Sequence, residues 1–156
     1  MDMIDKMYDR YTSGEKKVNE IYHRIAVQLN IPDSEMWTLF CICDTPDKMH
    51  TQNFIAEEMG LPKQTINSAI NRLLKEDFIY MEKLPLARNN KQILLTEKGK
   101  DFCETYIFPL VNAEKKAFSR FGEKEKEIYL SLGIQHNQFR IDELQSLLDG
   151  LRGDTV

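Results

Sequence analysis

The chain has 156 residues, of which 42% are hydrophobic and 29% are charged, and its formal net charge at pH 7 is −4. This length and composition exclude a disordered or fibrous protein and predict a single folded domain. The sequence contains no apolar run near the ~18 residues of a membrane span, and its first residues lack the basic and then apolar pattern of a secretion signal, so we expect a cytoplasmic protein.

The charge is unevenly distributed along the chain. Between Lys48 and Lys100 the sequence has nine Lys or Arg against six Asp or Glu, which gives this segment a charge of +3 and leaves −7 for the flanks. A basic middle between acidic ends can orient a chain on a polyanion while the rest of the surface stays off it.

Two helices are predicted in the first third of the chain. Residues 1–30 carry apolar side chains at intervals of three and four, which is typical of an amphipathic helix. Pro32 ends this pattern because proline has no amide hydrogen to continue the helix. Asp33 or Ser34 is expected to cap a second, short helix. Its run Met36–Cys43 is apolar almost all round, so we expect that helix to lie in the core.

Two further short helices are joined by a tight turn. Thr51 is expected to cap the first of them and Gly60 to end it. Only Leu61 and Pro62 separate it from a helix over residues 62–75, so the pair is a candidate helix-turn-helix. The inner face of the second helix is expected to consist of Ile66, Ala69, Ile70, Leu73 and Leu74.

A β-hairpin is predicted directly after this motif. Phe78–Lys83 and Gln92–Leu95 have the composition of strands. Pro85 and the pair Asn89-Asn90 lie between them as turn signals.

Two more helices complete the predicted order. Thr96 can cap a long helix that runs to Phe121, with Pro109 expected to kink it and Gly122 to end it. Residues 123–151 again have helical spacing. The predicted fold is therefore mainly α, with a two-stranded hairpin.

The helix over residues 62–75 has the chemistry of a DNA-reading helix. Lys63, Asn67 and Asn71 are spaced four apart and share one face, which Gln64, Ser68 and Lys75 border. Amides can pair in bidentate fashion with adenine, and lysine can contact guanine or phosphate. The alternative is an ordinary solvated helix face. The succession of capped helix, tight turn, polar-faced helix and hairpin favours a winged helix that binds DNA, with Arg88 and Lys91 near the hairpin tip placed to meet phosphate or the minor groove.

Over nearly its whole length the chain resembles the MarR (multiple antibiotic resistance regulator) family of transcription regulators. The stretches that carry this resemblance, in order along the chain, are Thr51–Leu61, Gln64-Thr65, Arg72-Leu73 and Leu95–Gly99. At the hairpin tip the family usually has Asp-Arg where this chain has Ala87-Arg88. The arginine therefore lacks the acidic neighbour that helps to hold it in the family.

The resemblance implies the architecture and the function. It implies a single domain over residues 1–156, with a winged helix region at 33–100 and dimerisation helices at 1–30 and 101–156. It further implies a homodimer that reads a palindromic operator, without a cofactor, as a repressor released by a small, often aromatic, effector.

The residues and the resemblance together give two predicted sites. The residues predicted to contact DNA are Lys63, Gln64, Thr65, Asn67, Ser68, Asn71, Arg72, Lys75, Arg88 and Lys91. The residues predicted to bind an effector are Tyr11, Tyr22, Trp37 and Phe40.

The large apolar faces predicted for both ends of the chain also indicate a dimer. Helices with such faces cannot bury them within so small a domain, and an apolar seam of this length requires a partner. A monomeric helix bundle is the alternative.

Other functions have weaker support in the sequence. The three cysteines, Cys41, Cys43 and Cys103, fit no zinc framework, and no histidine has a second ligand at helical spacing, so no metal site is predicted. No catalytic motif is recognisable, so we do not expect an enzyme. Two alternatives stay open, a winged helix that binds protein instead of DNA and a regulator that senses oxidation through a thiol.

Overall fold

In the computed structural model, residues 2–83 and 91–153 are described, and the elements follow the predicted order. The chain divides into two compact units, residues 1–112 and 113–156. The first unit contains four helices and then an antiparallel hairpin, which confirms the mainly α fold with a two-stranded sheet. The elements are α1 (Met3–Gln28), α2 (Asp33–Asp44), α3 (Gln52–Met59), α4 (Lys63–Lys75), β1 (Ile79–Lys83), β2 (Lys91–Leu95), α5 (Glu97–Phe102), a π-helical segment (Cys103–Ile107), α6 (Phe108–Ser119) and α7 (Glu123–Gly153).

The junction between α1 and α2 differs from the sequence prediction in one respect. Pro32, and not Asp33 or Ser34, is the N-cap of α2, and no side chain caps this end. The backbone of Pro32 is extended, and its carbonyl accepts from the amide of Met36 at 3.1 Å, so the helix has already begun at Asp33. The Asp33 carboxylate instead lies 3.0 Å from Nδ1 of His23 and connects α2 to α1.

The core of the first unit is centred on α2. As predicted, the segment Met36–Cys43 is mostly buried, and it packs with the inner face of α4 and with the π-helical segment. The largest fully buried side chains of the core include Met36, Leu39, Ile55, Ile66, Ile70, Leu73, Ile79, Ile93 and Ile107.

The turn between α3 and α4 forms as its capping residues predict. The Thr51 side chain accepts a hydrogen bond from the amide of Phe54 at 3.2 Å, which satisfies one of the free donors at the start of α3. Gly60 adopts the left-handed conformation, φ 61°, at the end of α3. After Leu61 the chain reaches Pro62, which is the N-cap of α4.

The hairpin pairs β1 with β2 in antiparallel register, from Ile79 opposite Leu95 to Lys83 opposite Lys91. Ile79 and Ile93 point into the core. The predicted tip, including the turn signals and Ala87-Arg88, lies outside the described residues.

Pro109 lies in the first turn of α6, directly after the π-helical segment. The amide of Phe108 donates to the carbonyl of Cys103, five residues earlier. This wider helical turn lets the chain pass the position where Pro109 has no amide to donate. The long helix predicted to run to Phe121 with a kink at Pro109 thus consists of three consecutive helical segments and ends at Ser119.

In the second unit, α7 exposes apolar side chains over most of its length. Gly122, predicted to end the preceding helix, instead lies at the start of α7, where its amide donates to Glu125 Oε2 at 2.7 Å. The exposed large apolar residues of α7 are Ile128, Tyr129, Leu130, Leu132, Ile134, Phe139, Ile141, Leu144, Leu147, Leu148 and Leu151.

Candidate nucleic-acid interface

The helix α4 has one fully buried face and one exposed polar face. Ile66, Ala69, Ile70 and Leu73 each have no exposed surface. Among the residues predicted to contact DNA, the exposed ones on α4 are Lys63, Gln64, Asn67, Ser68, Asn71, Arg72 and Lys75, while Thr65 is half-buried. The structure thus brings all eight α4 residues of the predicted site onto one element, with its apolar side fixed in the core.

The buried face also defines the centre of the polar face. At about 100° per residue, Gln64, Asn71 and Lys75 lie opposite the middle of the buried face. Lys63 and Asn67 lie towards one border of the polar face and Thr65 and Arg72 towards the other. Ser68 lies as close to this centre as Asn71 does, so the centre of the surface presents two amides, an ammonium group and a hydroxyl.

Two hydrogen bonds engage backbone at the start of α4. The Gln52 amide donates to the carbonyl of Lys63 at 3.2 Å, which connects α3 to the first residue of α4. The Ser68 hydroxyl donates to the carbonyl of Gln64 at 3.0 Å, within the helix itself. Its lone pairs remain able to accept from a base or a bridging water.

The Arg72 side chain has a partner that the sequence did not reveal. Its Nε lies 2.9 Å from Oε1 of Glu35, whose side chain is only 1% exposed. Burial raises the pKa of Glu35, the neighbouring Arg72 lowers it, and the charge of Glu76 raises it further. The local signal was weak, because an acidic residue in the first turn of α2 is ordinarily explained as a charge at a helix N-terminus.

The motif that follows the hairpin attaches β2 to the end of α4. The Thr96 hydroxyl donates to the carbonyl of Asp77 at 2.6 Å and accepts from the amide of Gly99 at 3.0 Å, which confirms Thr96 as a helix cap. Lys98 Nζ donates to the carbonyl of Glu76 at 2.5 Å. A Cβ at Gly99 would lie 1.9 Å from the carbonyl oxygen of Phe78, so this position requires glycine.

His50 joins the hairpin to the segment before α3. Its carbonyl accepts from the amide of Ile93 at 2.8 Å, and its Nε2 donates to the carbonyl of Thr45 at 3.0 Å. Burial lowers the pKa of His50, although the bond to Thr45 opposes this effect. His50 is therefore a buried residue, only 5% exposed, whose contacts join three parts of the fold.

The positive groups of the predicted hairpin surface are only partly described. Lys91 is exposed at the start of β2. Arg88 lies outside the described residues, so its contacts stay a prediction.

Three of the four residues predicted to bind an effector lie together. Tyr22 of α1 packs against Trp37 of α2, with ring centroids 4.6 Å apart, and Trp37 packs edge-on against Phe40 at 5.5 Å. All three are half-buried. Tyr11 lies eleven residues before Tyr22 on the same helix, so about 16 Å separates them along the axis.

The cysteines lie in the core of the first unit. Cys41, Cys43 and Cys103 are all buried free thiols. Burial raises the pKa of Cys41 to about 11. A hydrogen bond with Cys103 and burial both raise the pKa of Cys43. These environments disfavour the reactive thiolate.

Two further properties of the described residues concern other functions. Within residues 2–83 and 91–153, no cluster of three or more His, Cys, Asp or Glu is arranged to hold a metal ion. No described helix is long and apolar enough to cross a membrane.

Known proteins share both the sequence pattern and the fold of this chain. Residues 29–88, which begin just after α1 and include α2, α3, α4 and β1, match the model of the MarR family. No curated protein sequence matches the chain significantly.

Solved structures with this fold align with nearly the whole chain. A MarR family regulator from Neisseria meningitidis has a TM-score of 0.64 at 18% identity and covers 100% of both chains. A putative MarR family transcriptional regulator from Listeria monocytogenes, complexed with 26mer DNA, has a TM-score of 0.66 at 19% identity and covers 96% of each chain. The S. aureus MepR–DNA complex has a TM-score of 0.59 at 21% identity and covers 90% of this chain and 97% of that chain.

Proposed function

We propose, from the MarR family resemblance that these comparisons confirm, that this chain is a DNA-binding transcription regulator and acts as a homodimer in the cytoplasm. The observation that carries the proposal is α4, whose apolar side is fully buried while its amide and lysine side chains are exposed. The winged helix region is residues 33–100, and the segments 1–30 and 101–156 form the dimer.

The exposed face of α4 enters the major groove. Asn71 and Gln64 have the donor and acceptor pair that matches the edge of adenine, and Asn67 lies beside them. Lys63 and Lys75 stand at the two ends of the helix, where an ammonium group can contact guanine or neutralise phosphate. Arg88 and Lys91 of the hairpin contact phosphate or the narrow minor groove, although the part played by Arg88 rests on the sequence alone.

A second copy of this chain covers the exposed apolar residues of α1 and α7. Met3, Ile4 and Met7 of α1 are each more than 60% exposed, as are Ile134 and Leu151 of α7. Apolar surface of this extent is rarely left in contact with water and usually marks an interface. A two-fold dimer would present two copies of α4 to successive major grooves, about one helical turn of DNA apart.

We further propose that a small aromatic molecule regulates operator binding. The half-buried cluster of Tyr22, Trp37 and Phe40 supports it, because aromatic rings in partial contact with solvent can stack with a planar ligand. Binding at this cluster would reduce operator affinity. Operator binding that is indifferent to a panel of aromatic acids and phenols would remove the effector and leave the regulator intact.

Selection of bound duplexes from random DNA tests the function directly. We expect the wild-type chain to select a palindrome, because two identical α4 helices read two identical half-sites. A failure to enrich any sequence would favour the protein-binding alternative.

Substitutions in α4 test whether its exposed polar face, here called the reading face, contacts DNA. Asn71→Ala and Lys63→Ala should each weaken binding to the selected operator by ~1 to 3 kcal/mol if the contact is to a base. Asn112→Ala, which removes an exposed amide of α6 outside the winged helix region, is the matched control and should bind as the wild type does. Wild-type affinity in both α4 variants would contradict this assignment of the face.

A further inference from the structure

One ion pair in the winged helix region joins an exposed residue of α4 to a buried residue of α2. Arg72 Nε and Glu35 Oε1 are 2.9 Å apart, and the two side chains are 52% and 1% exposed. The Nε group of Arg72 is therefore directed towards the Glu35 carboxylate of α2, while about half of the Arg72 side chain stays exposed.

The position of Glu35 explains why its carboxylate depends on Arg72. A glutamate in the third position of a helix usually bonds back to the N-cap amide, but the N-cap here is Pro32, which has no amide hydrogen. Among the described residues, neither carboxylate oxygen accepts a hydrogen bond of good geometry. A buried carboxylate is costly unless it is paired, so the Arg72 guanidinium is the compensation that the fold supplies.

The ion pair lies beside the reading face of α4, so the neutralisation of Glu35 is linked to the position of that face. Arg72 stands at the border of that face, between exposed Asn71 and fully buried Leu73. An ion pair at this border resists rotation of α4 about its own axis. A rotation of one residue step, about 100°, would carry Asn71 away from its place at the centre of the face.

We propose that Glu35 and Arg72 are positioning residues of the DNA-binding surface: Glu35 holds Arg72 against α2, which adds to the buried apolar face in fixing the rotation of α4 and withholds this guanidinium from DNA. The inference rests on the proposed function, because it concerns the same surface. It removes Arg72 from the set of side chains that touch DNA and adds Glu35, which sequence reasoning did not find.

The experiment compares operator and random duplexes of equal length, over a range of salt concentrations, at a temperature where every variant is folded. We expect Arg72→Gln to lower the ratio of operator affinity to random-DNA affinity by roughly tenfold, a typical size for a coupling between contacting residues. Its affinity for random DNA and its salt dependence should stay those of the wild type, because the side chains that neutralise phosphate are unchanged. Glu35→Gln should lower the same ratio.

The double variant Glu35→Gln with Arg72→Gln should be no worse than either single variant, because both changes break one interaction. The double variant also has no unpaired buried charge, so it can be used in the same measurement if a single variant does not fold. Lys75→Gln is the comparison for a side chain that does neutralise phosphate, and it should reduce the salt slope by about 0.9 for each phosphate that the lysine neutralised. Glu97→Gln breaks the exposed pair with Lys100 and should leave the affinity ratio unchanged.

Three results would contradict the inference, each for a different reason. If Arg72→Gln weakens operator and random DNA alike with a shallower salt slope, Arg72 contacts phosphate and the inference is overturned. If all the variants of the pair keep the wild-type affinity ratio and differ only in thermal stability, the pair serves folding alone and the inference is also overturned. If the wild type itself has no sequence preference, the proposed function fails first, and this inference falls with it.

Discussion

The helices α4 and α7 use their apolar residues in opposite ways. In α4 the apolar residues Ile66, Ala69, Ile70 and Leu73 have no exposed surface and Leu74 is partly buried, while the polar residues are exposed except for half-buried Thr65, so this helix buries its apolar side within one chain. In α7 apolar side chains are exposed nearly along the whole helix, Leu144 for example to 60%. The first unit thus contains a core of its own around α2 and α4, and under the proposed function we expect the apolar residues of α7 to be covered by a second copy of the chain.

The largest expected effect comes from placing a charge on the apolar surface of α7. Leu144→Asp should convert a dimer into monomers, because an aspartate in an apolar interface loses its hydration without gaining a partner. Loss of the linked second half-site should then lower operator affinity by about 10² to 10⁴-fold. Sedimentation equilibrium and an operator titration measure the two effects.

Ser131→Asp is the control for this change. Ser131 is exposed and projects about 140° around α7 from Leu144, in a sector that holds none of the exposed large apolar residues named above. It should leave both the assembly and the operator affinity intact. A Leu144→Asp protein that remains dimeric would break the comparison between α4 and α7.

The next effect concerns the core beneath α4. Leu73→Ala should lower the free energy of unfolding by about 2 to 5 kcal/mol, because it removes a side chain without exposed surface and leaves a cavity. The loss, measured by urea denaturation, should be the same at low and high protein concentration. The decrease in the free energy of unfolding caused by Leu144→Ala should instead depend on protein concentration, because this substitution acts through association. Identical concentration dependence for the two variants would show that the winged helix region has no stability of its own.

The smallest expected effect is at the cysteines, all of which lie in the first unit. With the pKa of Cys41 raised to about 11, only about one thiol in a thousand is ionised at pH 8. Native protein should therefore react with iodoacetamide far more slowly than denatured protein, as mass spectrometry can follow, and mild peroxide should leave operator affinity unchanged. Rapid modification of a native thiol, together with loss of DNA binding, would revive the redox-sensing alternative.

Local signals account for the parts of the fold that were predicted well. Thr51, Gly60 and Thr96 cap helices through their own backbone neighbourhood, so their roles can be read from a few adjacent residues. The inner face of α4 was predicted from its period. The cap of α2 was misassigned because two good capping residues follow Pro32 directly, and their preference was placed above the conformation that proline already fixes.

For the candidate site, the sequence predicted which individual side chains are exposed but not which distant residues they contact. The exposure of Asn67 and Asn71 follows from their spacing relative to the buried residues. The partner of Arg72 does not, because Glu35 is 37 positions away in the sequence and only the packing of α2 against α4 brings them together. The buried placement of His50 has the same origin, since it depends on a bond to β2.

The sequence by itself determined the order of the helices, the tight turn, the hairpin and the exposed polar face of α4, because period and capping act over a few residues. Only the tertiary structure decided which of those exposed side chains is already engaged. A buried carboxylate must be neutralised by whatever cation the fold brings within reach, and here that cation is Arg72.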